Sequence, residues 1–255
     1  MDNFNVENVV EQNVKYLRKF FDGFSKDSIA VIGISGGKDS TIAAGLLVKA
    51  IGKERVLGVM MPNGVQADIA DSEKVCDFLG IRKTTINIAP IFEAAKATYK
   101  ENSEVTITDQ LITNLPPRIR MTTLYAVAQG QTSHAFVVNT CNRSEDYVGY
   151  STKYGDAAGD IAVLQDLLVC EVLEVGDYIE MPEELVHKTP SDGLCGKTDE
   201  DNLGFTYKQL DSYIKWIDGG RKDGCPIDKE LADKIDRKHV ANLHKLKTIP
   251  SFARR

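Results

Sequence analysis

The chain has 255 residues, 42% of them apolar, which suffices for one α/β domain with a substantial core. Its net charge of −6 and isoelectric point near 5.3 argue against a general nucleic-acid surface and allow only local basic sites. No apolar run reaches the length of a membrane span, and the polar opening "MDNFNVENVVEQNVKYLRKFF" lacks a secretory cleavage site, so a cytoplasmic protein is expected.

Taken in chain order, Val6, Val9, Val10, Val14, Leu17 and Phe21 recur at helical spacing and predict an amphipathic opening helix. Four β-rich runs follow: "SIAVIGI" (28–34), "RVLGVMM" (55–61), "TTINI" (84–88) and "HAFVVNT" (134–140). Helical patterns, "KDSTIAAGLLVKAIG" and "ADIADSEKVCDFLG", separate the first three. Unalternating apolar strands at that pitch predict a doubly wound, Rossmann-like α/β fold, its mostly parallel sheet covered by helices on both faces. The longer third interval holds "PPRIRMTTLYAVAQGQ", read as a helix entered through Pro116–Pro117. Beyond residue 150 the pattern turns helical and loop-like, and residues 187–205 mix Gly, Pro, Ser, Thr and Asp as a mobile loop does. No linker or repeat divides the chain, so residues 1–255 are expected to form a single domain. Cys76, Cys141, Cys170, Cys195 and Cys225 stand at least 25 residues apart without a CxxC pair, as reduced thiols with no zinc site do.

The first strand runs into Ser35–Gly36–Gly37, with a helix starting near Lys38. A glycine bend exposing N–H groups at a helix N-terminus forms an anion site, which an ordinary glycine turn capped by Asp39 or Ser40 does not explain as fully. A Walker A loop is excluded: Gly33 precedes Gly37 by four positions, not five, and Asp39 follows the lysine. An anionic Asp39 repels phosphates unless a divalent cation lies between, so its placement predicts magnesium bridging carboxylate and phosphate oxygens. Such a loop suits an enzyme in which pyrophosphate leaves.

"SGGKDS" (35–40) resembles the signature of the N-type ATP pyrophosphatases, which adenylate a substrate oxygen. "MPNGVQADIAD" (61–71), "RIRM" (118–121), "NTCNRSED" (139–146), "TKYGDAAGD" (152–160), "KTPSDGL" (188–194), "DEDNLGFTYKQLDSYI" (199–214) and "HK" (244–245) narrow the likeness to the ammonia-dependent NAD synthetases. The resemblance implies an ATP site at Gly33, Ile34, Ser35, Gly36, Gly37, Lys38, Asp39, Ser40, Thr140, Val169 and Ser191. It implies magnesium on Asp39 and Glu145, with Lys38 beside them in catalysis, and deamido-NAD on Arg118, Lys153, Asp160, His244 and Lys245. Read without it, Glu145 is equally a solvated helix-start residue, and Lys153 with Asp160 an incidental surface pair. Small residues in "YGDAAG" admit a flat ligand close to the backbone. His244 and Lys245 lie in a basic tail: residues 234–255 carry seven Lys or Arg against Asp236 alone. Two departures from the family are Val169, where a lysine is common, and Met60, where an arginine is common.

The implied partners are ATP, deamido-NAD and ammonia, with neither nucleic acid nor membrane. The nicotinate carboxylate attacks the α-phosphate, and ammonia then displaces AMP. No segment outside residues 28–245 is long enough for a glutaminase, and residue 2 is Asp rather than a nucleophilic cysteine, so free ammonia is the expected nitrogen source. A homodimer is implied by the resemblance. The alternatives are a tRNA-thiolating enzyme using Cys141, and a nonenzymatic nucleotide-binding regulator.

Overall fold

The computed structural model describes residues 4–65, 69–188, 198–247 and 249–252. Ser191, residues 66–68 and residues 189–197 of the loop expected at 187–205 lie outside the described residues, and Asp199–Leu203 within that expected loop is helical instead, with Thr198 as its cap.

A five-stranded sheet runs in the order β3-β2-β1-β4-β5. Its strands are β1 (Ile29–Gly33), β2 (Val56–Met60), β3 (Arg82–Thr85), β4 (Ala135–Asn139) and β5 (Ile161–Ala162), and every pairing is parallel. Eleven described helices join them: α1 (Val6–Phe24), α2 (Lys38–Ile51), α3 (Ile69–Leu79), α4 (Ala89–Lys100), α5 (Asp109–Gln129), α6 (Arg143–Val148), α7 (Val169–Tyr178), α8 (Glu183–Val186), α9 (Asp199–Leu203), α10 (Tyr207–Asp218) and α11 (Lys229–Leu246).

Both faces of the sheet are covered, as the apolar strands require. Ala30, Ile32, Val56, Met60 and Val138 pack with buried residues of α1, α2, α3, α7 and α8. Their neighbours Ile29, Val31, Leu57, Val59 and Val137 pack on the opposite side with Leu124, Val127 and Ala128 of α5. The opening helix forms as predicted, and its stripe at Val10, Leu17 and Phe21 is buried inside the chain. A separate apolar cluster, built around Val148, Leu168, Leu210 and Ile235, ties α6, α7, α10 and α11 together.

Three sequence expectations need correction. The helix read from Pro116 begins at Asp109, where Thr108 caps it by accepting from Leu111 N–H at 3.2 Å. Two interior prolines remove helix hydrogen bonds. The first turns persist because Ile112 and Leu115 pack with Ile88, Phe92 and Ile119. The strand expected at 84–88 sits instead at Arg82–Thr85, on the sheet edge, where alternating burial is weak and Arg82 and Lys83 are exposed. Ile86 and Ile88 still donate to the carbonyls of Met60 and Pro62, each at 2.9 Å, and then lead into α4. Finally, β5 and α4 had no counterpart in the reading of the sequence. β5 is two residues long, too short to show a periodicity.

Candidate active site

Because β2 and β4 lie on opposite sides of β1, the sheet reverses direction of progression between β1 and β4. In open α/β sheets that reversal opens a crevice beyond the strands' carboxyl ends. Here the crevice is a cavity of about 730 Å³. Gly33, Ile34, Ser35, Gly37, Lys38, Asp39 and Ser40 form one wall, and Thr140 at the end of β4 forms another. Met61, Pro62, Ile69, Met121 and Leu124 give it an apolar side.

The glycine bend is fixed from within. Gly37 N–H donates to Ser35 Oγ at 3.2 Å, Ser35 N–H to Ser40 Oγ at 3.3 Å, and Ser40 Oγ to the Gly37 carbonyl at 3.2 Å. No side chain caps α2, so its first-turn N–H groups are left for an anion. Gly36 has a different duty from its neighbours and does not line the cavity. Its φ is +75°, and a Cβ there would stand 2.9 Å from both Asp71 Cβ and Ser72 N. Only glycine lets the bend lie against α3.

Lys38 is 5% exposed, an unusual depth for an ammonium. Its Nζ donates to Asp39 Oδ2 at 2.8 Å, lies 3.7 Å from Glu145 Oε1, and sits 5.3 Å from the centre of the Tyr207 ring. Burial works against this charge, but Asp39 and Glu145 outweigh it and hold the lysine pKa above its ordinary value. Glu145 responds in the opposite sense. Burial pushes its carboxyl up to about 8, Asp39 adds to the rise, and Lys38 opposes it. Asn142 organises the pair: its Nδ2 donates to Asp39 Oδ1 at 3.0 Å while its Oδ1 accepts from Glu145 N–H at 3.0 Å, capping α6.

Of the basic residues expected to meet deamido-NAD, Lys245 lines the cavity, whereas Arg118, Lys153 and His244 do not but are joined to one another. Arg118 donates to the Lys153 carbonyl at 3.4 Å, and Lys153 Nζ to the His244 carbonyl at 2.7 Å. Lys245 reaches the carbonyls of Gly149 and Ser151 at 2.7 and 2.9 Å and also lines the cavity. Asp160 turns away from this group. Its carboxylate accepts from Val137 N–H at 2.7 Å and from the Tyr125 hydroxyl at 3.2 Å. Val169 starts α7 as a buried apolar residue, with its N–H on Ser144 Oγ at 2.9 Å. Its side chain lines a second cavity, of about 470 Å³, together with Lys38, Lys188 and Tyr207. Met60 is a core residue, 2% exposed, packed in the apolar layer under the sheet.

The NAD synthase family model matches residues 9–251. The NH(3)-dependent NAD(+) synthetase of Methanoregula boonei is 35% identical over 247 residues, covering 95% of this chain and 94% of its own. That of Pyrococcus furiosus is 40% identical over 215 residues, 84% of this chain and 79% of its own. The chain belongs to the NAD synthase family. Among solved structures, the NMN synthetase of Francisella tularensis superposes with a TM-score of 0.85 at 31% identity, covering 98% and 99% of the two chains.

Several residues of this NAD synthase site escaped the sequence reading. Asn142 stands three positions before Glu145, the spacing of a helix cap, which is the signal in "NTCNRSED" that could have found it. Asp156 lies within "YGDAAG" and carries no role in the sequence analysis. Asp156 opens into the cavity and accepts from Thr152 N–H at 2.9 Å, and the surrounding protein pushes its pKa up by burial. Arg120, on the cavity wall, donates to the Met61 carbonyl at 3.2 Å. Gly155 and Ala158 do line the cavity, but Gly159 serves packing: a Cβ there would stand 2.8 Å from Asn139 N and Cβ.

Proposed function

We infer that the protein amidates deamido-NAD with ammonia at the expense of ATP, releasing AMP and pyrophosphate. The observation carrying this reading is the buried Lys38, with Asp39 and Glu145 beside it, set against the uncapped start of α2, at the crevice beyond β1 and β4. Backbone N–H groups and Lys38 hold the phosphates, and Thr140 and the apolar wall bound the rest of the nucleotide. In this reading Arg118, Lys153, Asp160, His244 and Lys245 serve deamido-NAD, and Ser191 is a contact of ATP. The chain contributes position and charge rather than a nucleophile of its own.

Magnesium fits Asp39 and Glu145. One cationic atom, Lys38 Nζ, already lies 2.8 and 3.7 Å from their oxygens. Among the described residues no cluster of three or more His, Cys, Asp or Glu side chains is arranged for a metal. An ion held by one or two carboxylates takes its remaining ligands from phosphate oxygens and water. When bound, such an ion neutralises the leaving diphosphate. Free ammonia as nitrogen source, a single domain, a homodimer and a cytoplasmic location complete the proposal. No described helix is long and apolar enough to cross a membrane.

A tRNA-thiolating role finds no support at Cys141. The residue is 8% exposed, its Sγ lies 3.5 Å from the Asp156 carbonyl, and burial lifts its thiol pKa well above the usual value. Likeness to the Francisella NMN synthetase favours one second reading, with nicotinate mononucleotide as acceptor. The test is release of AMP and pyrophosphate with each acceptor, with and without ammonium. Release only when deamido-NAD and ammonium are both present is the expected result. ATP turnover indifferent to either acceptor refutes the function, and turnover with the mononucleotide alone reassigns the substrate.

A further inference from the structure

Lys38 is poorly explained as a phosphate ligand alone. A lysine serving only incoming phosphate has no reason to be anchored first by two carboxylates and a ring. Yet here the ammonium sits against Asp39 at 2.8 Å, Glu145 at 3.7 Å and the Tyr207 face at 5.3 Å. Asp39 is held independently of it, since Asn142 bonds Asp39 Oδ1, and the same Asn142 caps the helix that bears Glu145. The lysine is joined to the backbone by four flexible methylenes and borders both the 730 Å³ and the 470 Å³ cavities, so space exists on either side for its head to move.

We propose that Lys38 is a resident counter-ion that occupies the divalent-cation position between Asp39 and Glu145 and sets how tightly that position takes a metal. The inference rests on the reading of those two carboxylates as metal ligands. Two cations about 4 Å apart repel strongly in a partly buried site. Before nucleotide binds, the ammonium therefore opposes metal entry. Once a triphosphate is present, the ammonium has a new anionic partner and can leave Asp39. Metal then enters with the nucleotide rather than ahead of it.

The test uses Mn²⁺ as probe, with free ion followed by electron paramagnetic resonance in the absence of nucleotide. Lys38→Gln is expected to bind Mn²⁺ about tenfold or more tighter than the wild type. Its metal-free melting temperature is expected to fall, because Asp39 and Glu145 lose their cationic partner, and to recover with Mn²⁺ by more than the wild type gains. Should Lys38→Gln fail to fold, Lys38→Met carries the same titration. Equal or weaker Mn²⁺ binding by the variant overturns the counter-ion role, provided that adding Asp39→Asn still weakens what binding there is. If Asp39→Asn leaves Mn²⁺ binding unchanged in both backgrounds, the ligand assignment itself falls, and the counter-ion with it.

Discussion

At the residue scale, Cys141 and Asn142 are adjacent but differ in everything that matters to chemistry. Cys141 is buried beneath Asn139 and Asp156, and Cys76 lies in the core, where burial lifts its thiol pKa to about 11. Cys225 is exposed. Cys141→Ala is accordingly expected to keep turnover within about twofold of the wild type, a change under 0.5 kcal/mol in the barrier. Iodoacetamide at pH 8 is expected to label Cys225 well before Cys76 or Cys141, as peptide mapping by mass spectrometry reads directly. Faster labelling of Cys141 would reopen the thiolation reading. The residues of "SGGKDS" were legible because the loop is contiguous and its chemistry follows from local spacing. Asn142 was not, because its second partner, Asp39, lies 103 residues away. Asp156 was passed over for the same reason. Nothing in "YGDAAGD" says which aspartate faces the crevice and which one reaches back to β4.

At the scale of elements, the glycine bend depends on α3 as much as on its own turn. Gly36→Ala places a Cβ 2.9 Å from Asp71 Cβ and Ser72 N at a φ of +75°. The expected cost is about 2–4 kcal/mol, from left-handed strain and overpacking together. Urea unfolding measures it, and a loss under 0.5 kcal/mol would show that α3 gives way easily. Asp211 links three further helices. Its oxygens accept from Ser144 Oγ at 2.5 Å and from Cys170 N–H at 2.9 Å, joining α10 to α6 and to the start of α7. The strands β1, β2 and β4 were legible because a central parallel strand is apolar throughout. β3 was displaced by two residues because an edge strand has solvent beside it. The start of α5 was missed because proline is usually a boundary, and here tertiary packing overrides that preference.

At the scale of the whole molecule, residues far apart in sequence share one loop. Lys245, at the last turn of α11, holds the carbonyls of Gly149 and Ser151, while Lys153 holds that of His244. Lys245→Met leaves those carbonyls without their charged donor. The expected result is a KM for deamido-NAD raised about tenfold, with the KM for ATP changed by less than about twofold, and faster amide exchange across residues 149–156. Equal rises in both constants would show that the loop serves the nucleotide instead. The basic tail was visible in composition, but not its reach back across ninety-odd residues. The central strand carries a consequence of its own. β1 meets β2 soon after synthesis, but its other neighbour, β4, begins only at Ala135, roughly a hundred residues later. While a nascent chain is still leaving the ribosome, the phosphate loop has one bank and no far shore. Nucleotide capture is therefore expected to wait until residues past Ala135 have emerged and docked.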